Sequence, residues 1–493
     1  MTNDDDQESN INLLMEWPEG RKLLIVTNRE PYVHKYNAGR EVVCSIPAGG
    51  VTAALDPVMQ DLNGLWVAWG SGDADKAVVD SRNKVAVPPV RPKYKLKRVW
   101  LTQKEVDDYY LGYSNKGLWP LSHNLVSKVR FEKHQWNSYV KVNRKFANSV
   151  LSEAKEGDVI WVHDYQLMLV PEMIKEKRPG LTVVFFWHIP WPQFDAFRIC
   201  PQHRQLLRSL MSCDMVGFHI PRYCNNFSEC IERVYGKEIG VNMKVPRIKC
   251  FPISIDVDDV DRHARTRNVT REIARLKKKY KLEDRLVGCC VDRMDYTKGI
   301  PERLEALDIF FENYPEYREK FTFMQVCSPS RAEINEYRTV KKRVVELTER
   351  INSKFGNEKW KPVIVFHKHV GFDTIVAMYR MSDIAIVSPL ADGMNLVAKE
   401  FIAAQVDTRG VLALSQFAGA AGSIEYALKF NPFERDSFAE TIKKALDMTI
   451  DEKRKMMKKA RKELWEYTIF DWVEAFLKTT VETAMYEMPK GTG

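Results

Sequence analysis

What most limits the fold of this 493-residue chain is a recurring unit, a short apolar run that stops at a charged or imidazole-bearing residue. Residues 22–27, 159–163, 183–187, 215–218 and 249–253 form one series; 286–291, 321–326, 362–366, 383–388 and 410–414 form a second. Apolar runs this short suit strands buried on both faces. With helix-patterned stretches between them they predict an α/β class with mostly parallel sheets. A charged helical stretch near 262–282 separates the series, and a chain this long exceeds one typical core, so two domains are expected. The first series ends at Arg29, His163-Asp164-Tyr165, His188 and His219; the second ends at Asp292-Arg293, near Arg331, at His367 and near Asp392. Such ends make the carboxyl edge, where open parallel sheets bind ligands.

Composition removes several classes. The net charge of +9 invites nucleic acid, but the basic runs at 265–281 and 452–462 are patterned like helices with a solvated face. No recognition motif accompanies them; a positive cleft for phosphorylated small molecules is the functional version of that charge. The strongest apolar run, 181–191, contains His188 and Pro190 and is too short to span a bilayer. The acidic opening Met1-Thr-Asn-Asp-Asp-Asp6 argues against a targeting peptide. Nine cysteines without a C-x-x-C pair read as reduced thiols in a cytoplasmic protein. No Walker loop, nucleophile elbow or zinc spacing occurs.

The stretch 389–400, P-L-A-D-G-M-N-L-V-A-K-E, joins an apolar run to a helical pattern over 396–405. Backbone N–H groups and the helix dipole make such a junction a phosphate site, with Glu400 available to ribose hydroxyls. The plainer alternative makes Asp392 an N-cap with surface charges behind it. Arg293 and Lys298, in one loop after a strand, could clamp a diphosphate. Gly49-Gly50 opens a helix and permits close backbone approach to a ligand, or is a tight turn. Arg29, Tyr110, Trp119 and Arg331 could hold a separate phosphate beside an aromatic sugar platform, with Asp164 and His188 near the reacting sugar. Aromatic residues near glycines also serve simply as core.

Five motifs then carry a resemblance: W-V-H-D-Y-Q-L at 161–167, F-F-W-H-I-P-W-P at 185–192, R-M-D-Y-T-K-G-I-P-E-R at 293–303, D-G-M-N-L-V-A-K-E at 392–400 and L-S-Q-F-A-G-A at 414–420. In this order, over about 22–472, the chain resembles the trehalose-6-phosphate synthase family, retaining glycosyltransferases (family 20) of the GT-B fold. The resemblance implies two Rossmann-like domains facing a central cleft. A disordered 1–20 would precede an acceptor domain at 21–256, completed by 471–493 through a C-terminal helix crossing back. A nucleotide-sugar domain would occupy 257–470. It implies transfer of glucose from a nucleotide sugar, UDP-glucose foremost, to glucose 6-phosphate, giving α,α-trehalose 6-phosphate. Glycerol 3-phosphate as acceptor, or a non-catalytic regulatory role, are the alternatives.

By the same resemblance, Arg293 and Lys298 stabilise the leaving diphosphate, with Asp164 and His188 at the reaction centre. Gly49, Gly50, His188, Arg293, Lys298, Asp392, Gly393, Met394, Asn395, Leu396, Val397 and Glu400 bind the donor. Arg29, Trp69, Tyr110, Trp119, Asp164, Tyr165 and Arg331 bind glucose 6-phosphate. No cofactor or metal site is implied, Mg2+ being at most a stimulant. No nucleic acid or membrane partner is implied either; a homo-oligomer stays open, and a separate phosphatase would release trehalose. Some positions depart from the family pattern, among them His219, where some members have Gln. Ala391 stands where relatives commonly have Arg, and T-N-R-E-P-Y-V-H (27–34) replaces S-N-R and an apolar turn.

Overall fold

The computed structural model describes Trp17 and residues 20–46, 50–241 and 243–486. The expected disordered tail at 1–20 lies, apart from Trp17 and Gly20, outside the described residues, as does Gly49. The chain divides into two compact units, 1–253 with 469–493, and 254–468; the sequence reading set the boundaries at 256 and 470.

The first unit is built on an eight-stranded sheet. Its strand order is Arg247–Cys250, Met215–Phe218, Thr182–Phe186, Val159–His163, Leu23–Arg29, Leu65–Trp69, Tyr94–Val99, Lys84–Val87. Every pairing is parallel except the last, which is antiparallel. The central strands are sealed on both faces: Leu23 to Val26 and Val159 to Val162 are at most 1% exposed. Each such aliphatic side chain contributes about 1.5–3 kcal/mol by leaving water. Helix Ile469–Tyr486 belongs to this unit. Its Phe476 stacks on Trp161 at 4.2 Å between ring centroids, and Trp472 Nε1 donates to the Phe251 carbonyl at 3.2 Å.

The second unit holds six parallel strands in the order Val363–Phe366, Phe321–Ser328, Leu286–Arg293, Ile384–Val387, Val411–Ser415, Leu428–Phe430. In both sheets the unit's first strand is central, and the chain later crosses to its other side. That reversal is the topological switch point, where two neighbouring strands part at their carboxyl ends and leave a crevice. It falls between Leu23–Arg29 and Val159–His163 in the first unit, and between Leu286–Arg293 and Ile384–Val387 in the second.

The strands Leu65–Trp69, Lys84–Val87, Tyr94–Val99 and Leu428–Phe430 and the antiparallel pair Val33–Tyr36 with Val42–Ser45 were not expected from sequence. Tyr94–Val99 reads Y-K-L-K-R-V, yet Lys97 is 8% and Arg98 1% exposed. Lys97 Nζ pairs with Glu153 at 2.7 Å, and Arg98 lies against Glu30 and Asp75. Buried charges with partners hide a strand from a hydrophobicity pattern. Among the described residues no helix is long and apolar enough to cross a membrane.

Candidate functional site

In the first unit, a bulge in strand Leu23–Arg29 shifts register between Thr27 and Arg29 and sets Arg29 opposite Trp69 on the neighbouring strand. Bulges commonly re-aim a side chain beside a site. Tyr110 touches both residues. Its hydroxyl accepts from Arg29 Nη2 at 3.1 Å, and its ring lies 6.0 Å from that of Trp69. Tyr110 sits on a wide-turn π-helical segment, Val106–Leu118, a geometry found often at functional sites. Asn115 of the same segment donates to the Tyr110 carbonyl at 2.6 Å and accepts from the Tyr165 hydroxyl at 2.8 Å. Tyr165 in turn packs 5.7 Å from Trp119. Arg29, Trp69, Tyr110, Trp119 and Tyr165 are therefore one connected group. Asn115, which joins its halves, was missed in the sequence because an Asn in a Tyr-Ser-Asn-Lys stretch reads as a turn.

Across the same switch point, Asp164 follows strand Val159–His163 with φ 71° and ψ 169°. That region is essentially glycine's, and an aspartate there costs about 1–3 kcal/mol. Its N–H donates to the Phe186 carbonyl at 2.9 Å, and its Oδ1 accepts from the His188 N–H at 3.2 Å. His188 Nε2 lies 2.9 Å from His163 Nδ1, one nitrogen donating and the other accepting. Burial first, then the His163 and His219 imidazoles, hold His188 well below the usual histidine range. Burial pushes His163 down to about 3. Both rings are therefore neutral at physiological pH.

The second unit's switch point is ionic. Lys298 Nζ, from the loop after Leu286–Arg293, lies 2.5 Å from Asp392 Oδ2, from the loop after Ile384–Val387. Asp392 also accepts from Asn395 Nδ2 at 3.0 Å. Asn395, at φ 78°, caps helix Leu396–Ala404 by accepting from the Ala398 N–H at 3.3 Å. Asp392 is thus a partner of Lys298, and the cap alternative belongs to Asn395. Gly393, Met394, Leu396 and Val397 complete the turn and the helix's first residues.

Two glycines make this junction possible. A Cβ on Gly299, at φ 61°, would overlap the Ser388 carbonyl, and one on Gly419 would overlap that of Gly393. Under the junction, fully buried Arg303 bonds to Asp292 at 2.8 Å and Ser388 Oγ at 3.0 Å, and also to Gln325. Arg303 closes a motif quoted in the sequence but had no role there; its helical register with Ile300 and Leu304 was the signal that it points inward.

Arg331 lies in this second unit, with φ 42° and Nη1 3.4 Å from Asp295 Oδ2. Burial works against the Asp295 carboxylate, but Arg331 and then Arg293 outweigh it and hold its pKa below the usual range. Arg293 is thereby in the same electrostatic neighbourhood as Arg331 and Lys298. Glu400 Oε2 accepts from the Tyr379 hydroxyl at 3.1 Å; burial raises its pKa, partly offset by that bond. Gly50 is the first residue of helix Gly50–Leu62. Among the described residues, no group of three or more His, Cys, Asp or Glu is arranged to hold a metal ion.

Two Rossmann-like units, each with polar groups gathered at its own switch point, define the class of GT-B glycosyltransferases. An E. coli structure named for trehalose-6-phosphate and bound with UDP-2-fluoro glucose matches 94% of this chain and 99% of its own, at TM-score 0.83 and 29% identity. A Burkholderia xenovorans alpha,alpha-trehalose-phosphate synthase (UDP-forming), in complex with glucose-6-phosphate, matches at TM-score 0.82 and 29% identity over 93% and 99%. The alpha,alpha-trehalose-phosphate synthase (UDP-forming) of Candida albicans is 35% identical over 93% of this chain and 96% of its own. Residues 21–482 match the model of glycosyltransferase family 20, and the chain belongs to that family.

Proposed function

We propose that this protein is a retaining glucosyltransferase that moves glucose from UDP-glucose to glucose 6-phosphate and forms α,α-trehalose 6-phosphate. The observation that carries the reading is the intact ionic junction of the second unit: Arg293 and Lys298 on one side of the switch point, Asp392 on the other. A regulatory homologue has no need to preserve a cation clamp and its counter-charge. The similar proteins named for UDP formation, one with a UDP-sugar and one with glucose-6-phosphate, support the choice of substrates.

In this reading Arg293 and Lys298 receive the negative charge that builds on the diphosphate as the glycosidic bond breaks. Fixed cations aimed at developing charge are worth about 10²–10³ in rate each. Lys298, held by Asp392 before substrate arrives, exchanges one anion for another. Asp392 then takes glucose hydroxyls, the 393–397 backbone lies against the phosphates and sugar, and Glu400 takes the ribose. The neutral His188 ring can donate or accept a hydrogen bond at the sugar without adding charge. Arg29 and Tyr110 grip the acceptor phosphate while Trp69, Trp119 and Tyr165 flank its ring, with Arg331 a further cation for that phosphate. The acceptor hydroxyl attacks the face the diphosphate leaves, and a phosphate oxygen takes its proton, so retention needs no protein nucleophile.

The proposal includes a cytoplasmic location, no required cofactor and a separate phosphatase for the product. A matrix of UDP-, GDP- and ADP-glucose against glucose 6-phosphate, glycerol 3-phosphate and no acceptor tests it, with products read by mass spectrometry. A disaccharide phosphate formed only with glucose 6-phosphate is expected, fastest with UDP-glucose and persisting in EDTA. Preference for glycerol 3-phosphate would transfer the reading to a glucosylglycerol-phosphate synthase. Silence across the matrix from folded protein would leave the regulatory reading.

A further inference from the structure

The departing motif T-N-R-E-P-Y-V-H builds a buried charged cluster directly behind the Arg29 group. Glu30 is 1% exposed, Arg98 1%, Asp75 0% and His34 6%. Glu30 Oε2 lies 2.8 Å from Arg98 Nε, and Arg98 Nη1 lies 2.9 Å from Asp75 Oδ1. Arg98 Nη2 donates to the Tyr32 carbonyl at 3.0 Å and lies 2.9 Å from His34 Nδ1. Asp75 accepts from the Gly72 N–H at 2.6 Å and the His34 N–H at 2.8 Å. The remaining oxygen of Glu30 accepts twice from Ser71, from its N–H at 2.8 Å and its hydroxyl at 3.0 Å.

These bonds join the two segments that present Arg29 and Trp69. Glu30 follows Arg29 immediately, and Ser71 stands two residues after Trp69. The bulge sets Arg29 and Trp69 opposite each other, Tyr110 bridges them on one side, and the Glu30–Ser71 contact ties their loops together. Burying charges costs free energy that hydrophobic residues would not, so such a cluster contributes position more than stability.

We propose that Glu30 is a positioning residue that determines acceptor specificity, fixing the separation of Arg29 from Trp69 so that a phosphorylated hexose fits and a short phosphorylated polyol does not. This rests on the acceptor assignment above and adds to it a residue that touches no substrate. The cluster also has a proton balance. One guanidinium cannot neutralise two carboxylates, and His34 is held below its usual range by burial and then by Arg98. Burial, with Asp75 next, pushes Glu30 up to about 8. The charged and titratable groups around it are Asp75, Arg98, His34 and Cys44. Near neutral pH Glu30 therefore keeps its proton. Above about 8 it becomes an anion behind a phosphate-binding arginine.

The test is steady-state kinetics of wild type, Glu30→Ala, Glu30→Gln and Ser71→Ala in the full chain. Glu30→Ala is expected to raise the KM for the phosphorylated acceptor about tenfold, the loss of a hydrogen-bond set to a buried acid, while the KM for UDP-glucose stays within about twofold. Its preference for glucose 6-phosphate over glycerol 3-phosphate falls by a similar factor. Glu30→Gln, which imitates the protonated acid, is expected to keep the wild-type KM at pH 7 and to lack the rise in acceptor KM expected of wild type above pH 8. Should Glu30→Ala not fold, Ser71→Ala reads the same contact, with about a threefold rise in acceptor KM. Unchanged acceptor KM in either folded variant, or equal rises for donor and acceptor, overturns the proposal. Wild-type activity with glucose 6-phosphate tests the reaction itself; the variant-to-wild-type ratio of acceptor KM tests Glu30 with whichever phosphorylated acceptor wild type uses.

Discussion

The two switch points share a backbone plan and differ in how they hold charge. In the second unit the crevice itself is ionic, Lys298 against Asp392 with Arg293 at the end of the neighbouring strand, and the Arg303–Asp292 and Arg331–Asp295 pairs are buried beneath it. In the first, the crevice holds aromatic rings, two neutral imidazoles and exposed Arg29; the acid–guanidinium cluster of Glu30, Asp75 and Arg98 is buried behind it. One backbone geometry thus serves two tasks. A diphosphate that gains charge during reaction needs cations already in place. A sugar ring needs flat apolar faces and neutral hydrogen-bonding groups, with one cation for its phosphate.

The variant that would break this contrast most directly is Arg293→Ala. Loss of one charge-stabilising group is expected to lower kcat by about 100- to 1,000-fold, with an unchanged melting curve. Wild-type turnover by folded Arg293→Ala protein would mean the second crevice does not do the charge work. Arg29→Met is the matching change in the first unit. A charge-assisted bond contributes about 1.5–3 kcal/mol, so acceptor KM should rise roughly 10- to 100-fold while donor KM holds. If donor KM rose equally, the division of substrates between the units would be wrong.

The contrast also sorts what could be read from sequence. Val159–His163 and Met215–Phe218 were legible to the residue because every member is apolar or sits at the strand end. The second crevice was legible because its parts are local: Lys298 follows five residues after Arg293, which proves to close the strand and not to share the loop, and Asp392 and Asn395 share one turn. The first was legible only residue by residue. Arg29, Trp69, Tyr110 and Tyr165 could be named, but their union depends on a strand bulge and on Asn115, neither of which leaves a pattern. The Glu30–Arg98–Asp75 cluster joins three distant segments, and its arginine lies in a strand that charge had disguised. Pairing across long separations is set by tertiary packing, and a single sequence carries no record of it.

Backbone strain offers a finer test. Asp164 holds its φ 71°, ψ 169° conformation at a cost that glycine would not incur. Asp164→Gly should therefore stabilise the fold by about 1 kcal/mol or more, read as a higher denaturant midpoint, while turnover falls because the carboxylate no longer orients the His188 backbone. A variant both less stable and fully active would show that the conformation is neither strained nor functional.

The smallest expected effect separates the units by their response to acid. His163 is buried in the first unit with its pKa pushed down to about 3, against roughly 6.5 in an unfolded chain. A depressed folded pKa means the unfolded chain takes the proton first. Stability is then whole above pH 6.5 and falls by about 1.4 kcal/mol per pH unit toward 3. His188, held low by burial and its imidazole neighbours, acts in the same direction. Glu302 and Glu400 in the second unit are raised by burial, so their contribution is whole at low pH and is lost as pH rises. Hydrogen exchange followed by mass spectrometry, between pH 6.5 and 5.5, should therefore show protection falling in peptides around 159–188 and not in those around 396–404. His163→Gln should reduce that fall by about 1 kcal/mol at pH 5.5. An equal loss of protection in both regions, unaffected by His163→Gln, would mean that the imidazole pair is not the neutral element that distinguishes the first crevice from the second.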